Sequence, residues 1–393
     1  MIKYSGRHPW TLGNNGYEVM KNKTRAIAFY LPQYHPILEN DEWWGKGFTE
    51  WTNAAKAPPL FRGHYQPHVP ADLGFYDLRV PETRVAQAQM ARDYGVEAFC
   101  YYHYWFGGKR LLERPFSEVL ESGQPDFPFC LCWANATWSG IWHGNPGRIL
   151  VEQTYPGAED YEAHFRELLP AFRDRRYLRV DGKPVFIIYK PKDVPSVQQV
   201  AQLFREMSDR AGLPGIYLVG VSHHDDWEPK ANGFDAAVVQ NLPGLTGKVP
   251  WRYPLLKLRS KLHGHRLSIY QYKDLLNSFI PERTKQLEYL PCVIPGWDNT
   301  PRSGMNGLVM EGATPELFRH SLRQALENVS GKPPEHRLVF LKSWNEWAEG
   351  NHMEPDLRFG HSYLDALRSE VMSELGVGLQ QSPNLVGQTV ACK

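Results

Sequence analysis

Short runs of apolar, β-branched and aromatic residues recur along the chain at Ala26–Leu31, Ala98–Tyr104, Phe129–Trp133, Val185–Tyr189, Ile216–Val221, Ala236–Gln240, Cys292–Gly296 and Leu338–Ser343. Runs of this length bounded by turn residues read as buried strands. The stretches between them repeat their apolar positions every three to four residues, as helices do. Tyr161, Phe165, Leu168, Leu169 and Phe172 make one such stripe, and Val197, Val200, Ala201 and Phe204 another. Thr314-Pro315-Glu316 supplies an N-cap, a first-turn proline and a first-turn acid ahead of a stripe through Leu317, Phe318, Leu322, Ala325 and Leu326. Arg84–Tyr94 reads as a helix closed by Gly95. Strands alternating with helices imply a parallel sheet.

Eight strands predict a closed (β/α)₈ TIM barrel, a single domain with long βα loops over residues 24–376. An N-terminal extension, residues 1–23, precedes it, and residues 377–393 read as a disordered tail. An open doubly wound sheet is the alternative. That fold carries a glycine-rich phosphate turn after its first strand. Here the position reads Leu31-Pro32-Gln33-Tyr34-His35-Pro36, without a glycine.

Two regions break the rhythm. Pro32–Asp77 is a long connection rich in Trp, Pro, Gly and His, and long connections in compact domains are usually functional. Asn241–Glu288 is the second. Its part Lys248–Arg266 carries basic residues and no acid, so it is either a solvated helical face or a patch for an anionic glycolipid or phosphate-bearing saccharide.

Charge narrows the partners. Lys and Arg number 44 against 43 Asp and Glu, and a balance of this kind argues against a nucleic-acid binder. No apolar stretch is long enough for a transmembrane helix. The N-terminus lacks the apolar core of a secretory signal, which makes the cytoplasm the expected address. The cysteines Cys100, Cys130, Cys132, Cys292 and Cys392 are odd in number and lack metal-type spacing. They read as buried free thiols of a reducing compartment. The 51 aromatics (13 Trp, 20 Tyr, 18 Phe) often stand beside Asn, Asp, Glu and His. Such mixed surfaces suit sugar rings, with their apolar faces and hydroxyl edges.

In a barrel of this class the active site lies at the C-terminal ends of the strands. Read in order, those ends hold Tyr34 and His35; Tyr102 and His103; Trp133 and Asn135; Tyr189; Trp297 and Asp298; and finally Trp344-Asn345-Glu346-Trp347-Ala348-Glu349-Gly350. With Trp51 of the long connection, these are the expected substrate-binding residues. Glycoside hydrolysis needs two carboxyl groups beside the bond. Glu346 and Glu349 are three apart, and a helix-like turn would put them on one face, roughly 5–6 Å apart at Cβ. Carboxylates that close push their pKa values apart, so one stays protonated. Trp344 and Trp347 are expected to form the low-dielectric wall. Other chemistries fit less well. The histidines contain no H-E-x-x-H pair, Ser139 and Ser343 lack a nucleophile elbow, and Asp225-Asp226 is a weak counterpart of a metal-binding acidic pair.

At these residues the chain resembles a known family. Ala28-Phe29-Tyr30-Leu31-Pro32-Gln33-Tyr34-His35-Pro36, Asn40-Asp41-Glu42-Trp43-Trp44-Gly45-Lys46-Gly47-Phe48-Thr49-Glu50-Trp51, Gly74-Phe75-Tyr76-Asp77-Leu78, Gly296-Trp297-Asp298-Asn299-Thr300-Pro301-Arg302 and the last-strand segment together look like the WbsX family of polysaccharide-biosynthesis proteins, related to glycoside hydrolase family 99. The likeness runs from about Thr24 to Arg368. It implies a barrel fold and a retaining, endo-acting glycoside hydrolase or transglycosidase. In family 99 the first Glu of the W-N-E-W-x-E-G segment takes a proton from the sugar 2-hydroxyl and the second is acid, then base. Carried over, these roles fall on Glu346 and Glu349. No metal or cofactor is expected. The implied partner is an oligo- or polysaccharide of a bacterial surface polysaccharide or lipopolysaccharide-type glycan, lipid-linked precursors included. The family's label also implies a glycosyltransferase of O-antigen or capsule biosynthesis. One departure stands out. The family's W-A-N-E-N-W reads here Trp133-Ala134-Asn135-Ala136-Thr137-Trp138, so an acid is missing at Ala136 and a non-catalytic carbohydrate-binding barrel stays among the alternatives.

Overall fold

A computed structural model describes residues 24–140, 145–223, 227–242 and 267–373. The N-terminal extension, Asp225-Asp226, the basic segment Lys248–Arg266, the tail and Cys392 lie outside these residues. The eight expected strands are β1 (Arg25–Tyr30), β2 (Val96–Phe106), β3 (Phe129–Trp133), β4 (Lys183–Ile188), β5 (Tyr217–Ser222), β6 (Ala236–Val239), β7 (Tyr289–Val293) and β8 (Leu338–Leu341). Each pairs parallel with the next. β1 pairs with both β8 (Ile27 opposite Phe340) and β2 (Phe29 opposite Cys100), which closes the ring. Closure leaves no free sheet edge and explains why the strands read as continuous apolar runs, since both faces are covered.

β2 shows how the barrel sorts its side chains. Successive residues point to opposite faces of a strand. Tyr101 packs on Phe116 of the helix Arg114–Ser122, and the His103 ring stacks on His164 of the helix Ala158–Arg173. Cys100 and Tyr102 point the other way. Cys100 meets Cys130 and Cys132, and Tyr102 stacks on Phe29 with ring centroids 5.5 Å apart. All four described cysteines are buried and free, as expected.

The helix Pro315–Ser330 forms as its start signals predict. The Thr314 hydroxyl accepts the Leu317 N–H at 3.4 Å, and Phe318, Leu322, Ala325, Leu326 and Val329 are buried. They seat the helix on β7 and on the helix Ser362–Ser373. Each large apolar side chain so buried contributes roughly 1.5–3 kcal/mol. Small pairings beyond the eight strands also form, among them an antiparallel one of Arg179–Val180 with the start of β4. Lys109–Leu111 folds back on β2, Trp138–Gly140 pairs with Asn145–Val151, and Ser268–Gln271 pairs with Leu308–Glu311. Among the described residues no helix is long and apolar enough to cross a membrane.

Candidate active site

The segment after β8 was expected to turn like a helix. It forms a tight hairpin instead. Asn345–Glu346 pairs antiparallel with Asn351–His352, and the 3₁₀ turn Trp347–Glu349 joins them. Gly350 closes the turn at φ +54°, and a Cβ there would lie 2.9 Å from that of Asp298. The Asp298 N–H donates to the Glu349 carbonyl at 2.6 Å, so the β7 and β8 loops are pressed together where only glycine fits. The Ser343 hydroxyl accepts the N–H groups of Asn345 (3.1 Å) and Glu346 (2.8 Å) and fixes the entry to the hairpin.

This geometry brings the two carboxyl groups into hydrogen-bond contact. Their surroundings differ. Burial alone would raise Glu346, but Lys342 Nζ lies 3.3 Å from its Oε2, and with the hydrogen bond to Glu349 and the more distant Arg302 it holds the carboxyl below its ordinary value. Lys342 is itself buried. It also touches the Tyr102 hydroxyl at 3.3 Å and sits over the Trp297 ring, 5.5 Å from its centroid. Burial and the adjoining Glu346 charge push Glu349 well above the usual carboxylate range. Arg302 contacts Glu349, yet it also grips the buried Glu50 through Nε (3.0 Å) and Nη2 (2.8 Å). Its charge is divided between two acids, whereas Lys342 serves Glu346. The pair is therefore set to share one proton, carried on Glu349.

Both carboxylates open into a cleft of about 650 Å³ at the C-terminal end of the barrel, with Tyr102, Tyr189, Trp297 and Arg302 among its lining residues. Ala136, where the family's acid is missing, also lines it. Of this lining, Lys342 carried no signal that was read, while Gln33 and Tyr104 at strand ends and Arg302 and Trp138 within motifs were not among the expected contacts. A lysine near the end of a run that must be buried was the available signal, because lysine is almost never fully buried unpaired.

Other expected contacts lie elsewhere. Trp344 and Trp347 are buried beneath the hairpin, where both indole N–H groups donate to Glu354, at 2.9 and 2.7 Å. They do not line the cleft. Asn345 turns toward the end of β1. Its Oδ1 accepts the Leu31 N–H at 2.7 Å and its Nδ2 donates to the Leu31 carbonyl at 3.0 Å. The Tyr34 hydroxyl donates to the Asn345 carbonyl and accepts the Trp347 N–H at 3.2 Å. Trp51 donates to the Tyr76 carbonyl and packs against Tyr34 and Trp347. His35 bonds the Pro32 carbonyl through Nδ1. Trp133 donates to the Trp105 carbonyl, and Asn135 ties the β3 loop to Lys190. His103 faces outward, its Nε2 2.9 Å from that of His164, and burial lowers its pKa to about 3. Asp298 takes His64 (2.6 Å) and Gln66 (2.7 Å) on one oxygen and Thr300 on the other. These residues hold the site's frame and stand away from the carboxylate cleft.

The glycosyltransferase WbsX family matches residues 26–367. "Uncharacterized protein WxcX" of Xanthomonas campestris pv. campestris (strain B100) is 40% identical over 345 residues, which is 87% of this chain and 49% of that protein. The chain thus spans about half the length of the curated relatives it matches. Among solved structures it is similar to the GH99 endo-alpha-mannosidase from Bacteroides thetaiotaomicron, with a TM-score of 0.56, 15% identity and coverage of 90% of this chain and 97% of that one. A "Glycoside hydrolase-like protein" superposes with a TM-score of 0.52 at 14% identity over 90% and 95% of the two chains. At such identities these likenesses speak for the fold, the closed eight-stranded parallel barrel. The sequence match extends over nearly the whole barrel, and the chain belongs to the WbsX family.

Proposed function

We propose that this chain is a carbohydrate-active enzyme that works on a glycosidic bond with retention, using Glu346 as base and Glu349 as acid. The observation that carries this reading is the unequal setting of two touching carboxyl groups, one beside its own lysine and the other raised by burial and by its neighbour's charge. A touching pair is closer than the roughly 6.5–9.5 Å of an inverting pair and also than the roughly 5–5.5 Å of a retaining pair that uses a carboxylate nucleophile, so retention rests here on the 2-hydroxyl-assisted route that the family resemblance implies.

In the reaction, Glu346 takes the proton of the sugar 2-hydroxyl while its oxygen attacks the anomeric carbon. The bond to the leaving oxygen breaks, and that oxygen takes the proton of Glu349. A hydroxyl then gives its proton to Glu349 and opens the 1,2-anhydro sugar at the anomeric carbon, and Glu346 returns its proton to the 2-oxygen. Two displacements at one carbon retain its configuration. Lys342 keeps Glu346 ionised for the first step. Tyr102, Tyr189 and Trp297 offer aromatic and hydroxyl groups to the ring. Trp51, His35, His103, Trp133 and Asn135, expected as direct contacts, serve as support in this reading.

The substrate class is a bacterial surface polysaccharide or lipopolysaccharide-type glycan. The family's description as a glycosyltransferase favours a second outcome on the same pair, in which a sugar hydroxyl replaces water in the second step. Surface glycans incubated with the protein, with and without acceptor sugars, and analysed by mass spectrometry test both. Cleavage or transfer products that vanish with Glu346→Gln and with Glu349→Gln support the assignment. Products that persist in the double variant overturn it, and products that require a nucleotide sugar point to a different chemistry.

A further inference from the structure

A second cleft, of about 900 Å³, opens on the other side of the Trp297–Asp298 segment. His68, His352 and Asp356 are among its lining residues, each offering one ligand atom, and all three atoms lie within 4.8 Å of one another. His68 Nδ1 stands 2.9 Å from His352 Nε2, which is 4.0 Å from Asp356 Oδ2. We propose that these side chains form a binding site for a divalent transition metal of the Zn²⁺ class. The inference is independent of the bond chemistry at Glu346 and Glu349.

The lone pairs are already aimed. His352 Nδ1 is 2.9 Å from the Glu354 carbonyl, an acceptor only, so the hydrogen sits on Nδ1 and Nε2 is left as an acceptor. A backbone carbonyl on the far nitrogen is the usual way a metal-binding imidazole is oriented. The ring is further fixed by stacking on Trp347, with centroids 3.8 Å apart. Asp356 spends Oδ1 on the N–H groups of Arg358 (3.0 Å) and Phe359 (2.6 Å), leaving Oδ2 toward the cluster. The Tyr65 hydroxyl reaches that oxygen at 3.3 Å.

The two segments that carry the ligands are tied by backbone. Ala71 N–H donates to the Pro355 carbonyl and Leu357 N–H to the Val69 carbonyl, both at 2.9 Å. Ligands of a tetrahedral ion at zinc–nitrogen distances stand roughly 3.3–3.4 Å apart. The observed 2.9 and 4.0 Å bracket that spacing, with all three atoms within 4.8 Å of one another, and closing the site asks adjustment chiefly of His68, since His352 and Asp356 are held by their other contacts. On binding, His68 moves its hydrogen from Nδ1 to Nε2, and the metal replaces the hydrogen bond between the rings. Two imidazoles with one carboxylate favour Zn²⁺, Co²⁺ or Ni²⁺ over Ca²⁺ or Mg²⁺, which take oxygen ligands. Three protein ligands leave a position facing the cleft. An ion there would clamp the long connection of residues 32–77 to the hairpin that carries Glu346 and Glu349.

The test uses this chain untagged, stripped with a chelator and titrated with Zn²⁺ by calorimetry, with bound metal counted by mass spectrometry. One equivalent is expected, along with a higher melting temperature. Loading with Co²⁺ should give the intense visible bands of a low-coordinate site. His68→Ala, at the half-exposed rim, and Asp356→Asn should each weaken binding at least tenfold, and His320→Ala, on a distant exposed helix face, should not. His68→Gln gives a second variant at the same rim should His68→Ala fail to fold. Substoichiometric binding to the wild type, or equal binding by the His68 variants, overturns the proposal.

Discussion

Glu346 and Glu349 touch cations at the wall of an open cleft, whereas Glu354, a few residues on, meets neutral donors in a closed layer beneath. Glu354 accepts from Gln87 Nε2 (2.6 Å), the Tyr76 hydroxyl (2.9 Å) and the indoles of Trp344 and Trp347. Burial pushes its pKa up to about 7, opposed by those four donors. The upper pair has Lys342 and Arg302, partners whose charge biases where a proton resides. The lower carboxylate has partners that fix geometry. Residue type is the same in both regions, and the charge of the neighbours is what sets the two apart.

The sharpest way to break this division is to neutralise the upper pair. Glu346→Gln and Glu349→Gln are expected to lower turnover on a natural glycan by about 10²–10⁴-fold each, the usual worth of a positioned acid or base, with melting temperature little changed. The wild-type pH profile should be bell-shaped. Activity falls in acid as Glu346, held low, takes up a proton, and falls in alkali as Glu349, held high, loses one. Lys342→Met removes the cation beside Glu346. The acid limb should then move to higher pH, with about a tenfold or greater loss of kcat/KM at a pH near that limb. A shift confined to the alkaline limb would show that Lys342 serves the other carboxylate.

Glu354→Gln should leave both limbs in place and cost stability instead. At least one indole N–H would lose its acceptor, a loss of about 1–3 kcal/mol readable in urea unfolding. Movement of either limb in this variant would erase the distinction between the layers. The smallest effect is expected for Tyr102→Phe, which removes one contact to Lys342. A few-fold change in kcat/KM is expected, on the acid side.

The barrel was legible because its strands are buried on both faces and so stand out as apolar runs, and because caps such as Thr314 and stops such as Gly95 act locally. The same double burial hid the direction of each side chain. A run that is apolar on both faces gives no alternation to read, so His103, which points to a helix, was grouped with Tyr102, which points to the cleft. The closeness of Glu346 and Glu349 was legible from their spacing, although a 3₁₀ turn in a hairpin brings it about and not the helical turn expected, and the fate of the flanking tryptophans was not legible. Trp344 and Trp347 follow a hairpin whose turn depends on Gly350 meeting Asp298, some fifty residues earlier in the chain. Arg302 stood in a motif that was noticed, yet its role depends on Glu50, which only the closed ring brings near.

The link from Glu50 through Arg302 to Glu349 has a consequence for electroneutrality. Lys342 and Arg302 supply two positive charges against the three carboxylates Glu50, Glu346 and Glu349. The ensemble is neutral when one acid is protonated. A neutral sugar can enter without disturbing that balance. A uronic acid or a phosphorylated sugar would add a negative charge to a low-dielectric space and draw a second proton from solvent. Calorimetric titrations in buffers of different ionisation enthalpy would read that uptake directly, so the ion count in the cleft becomes a means of sorting acidic from neutral glycans.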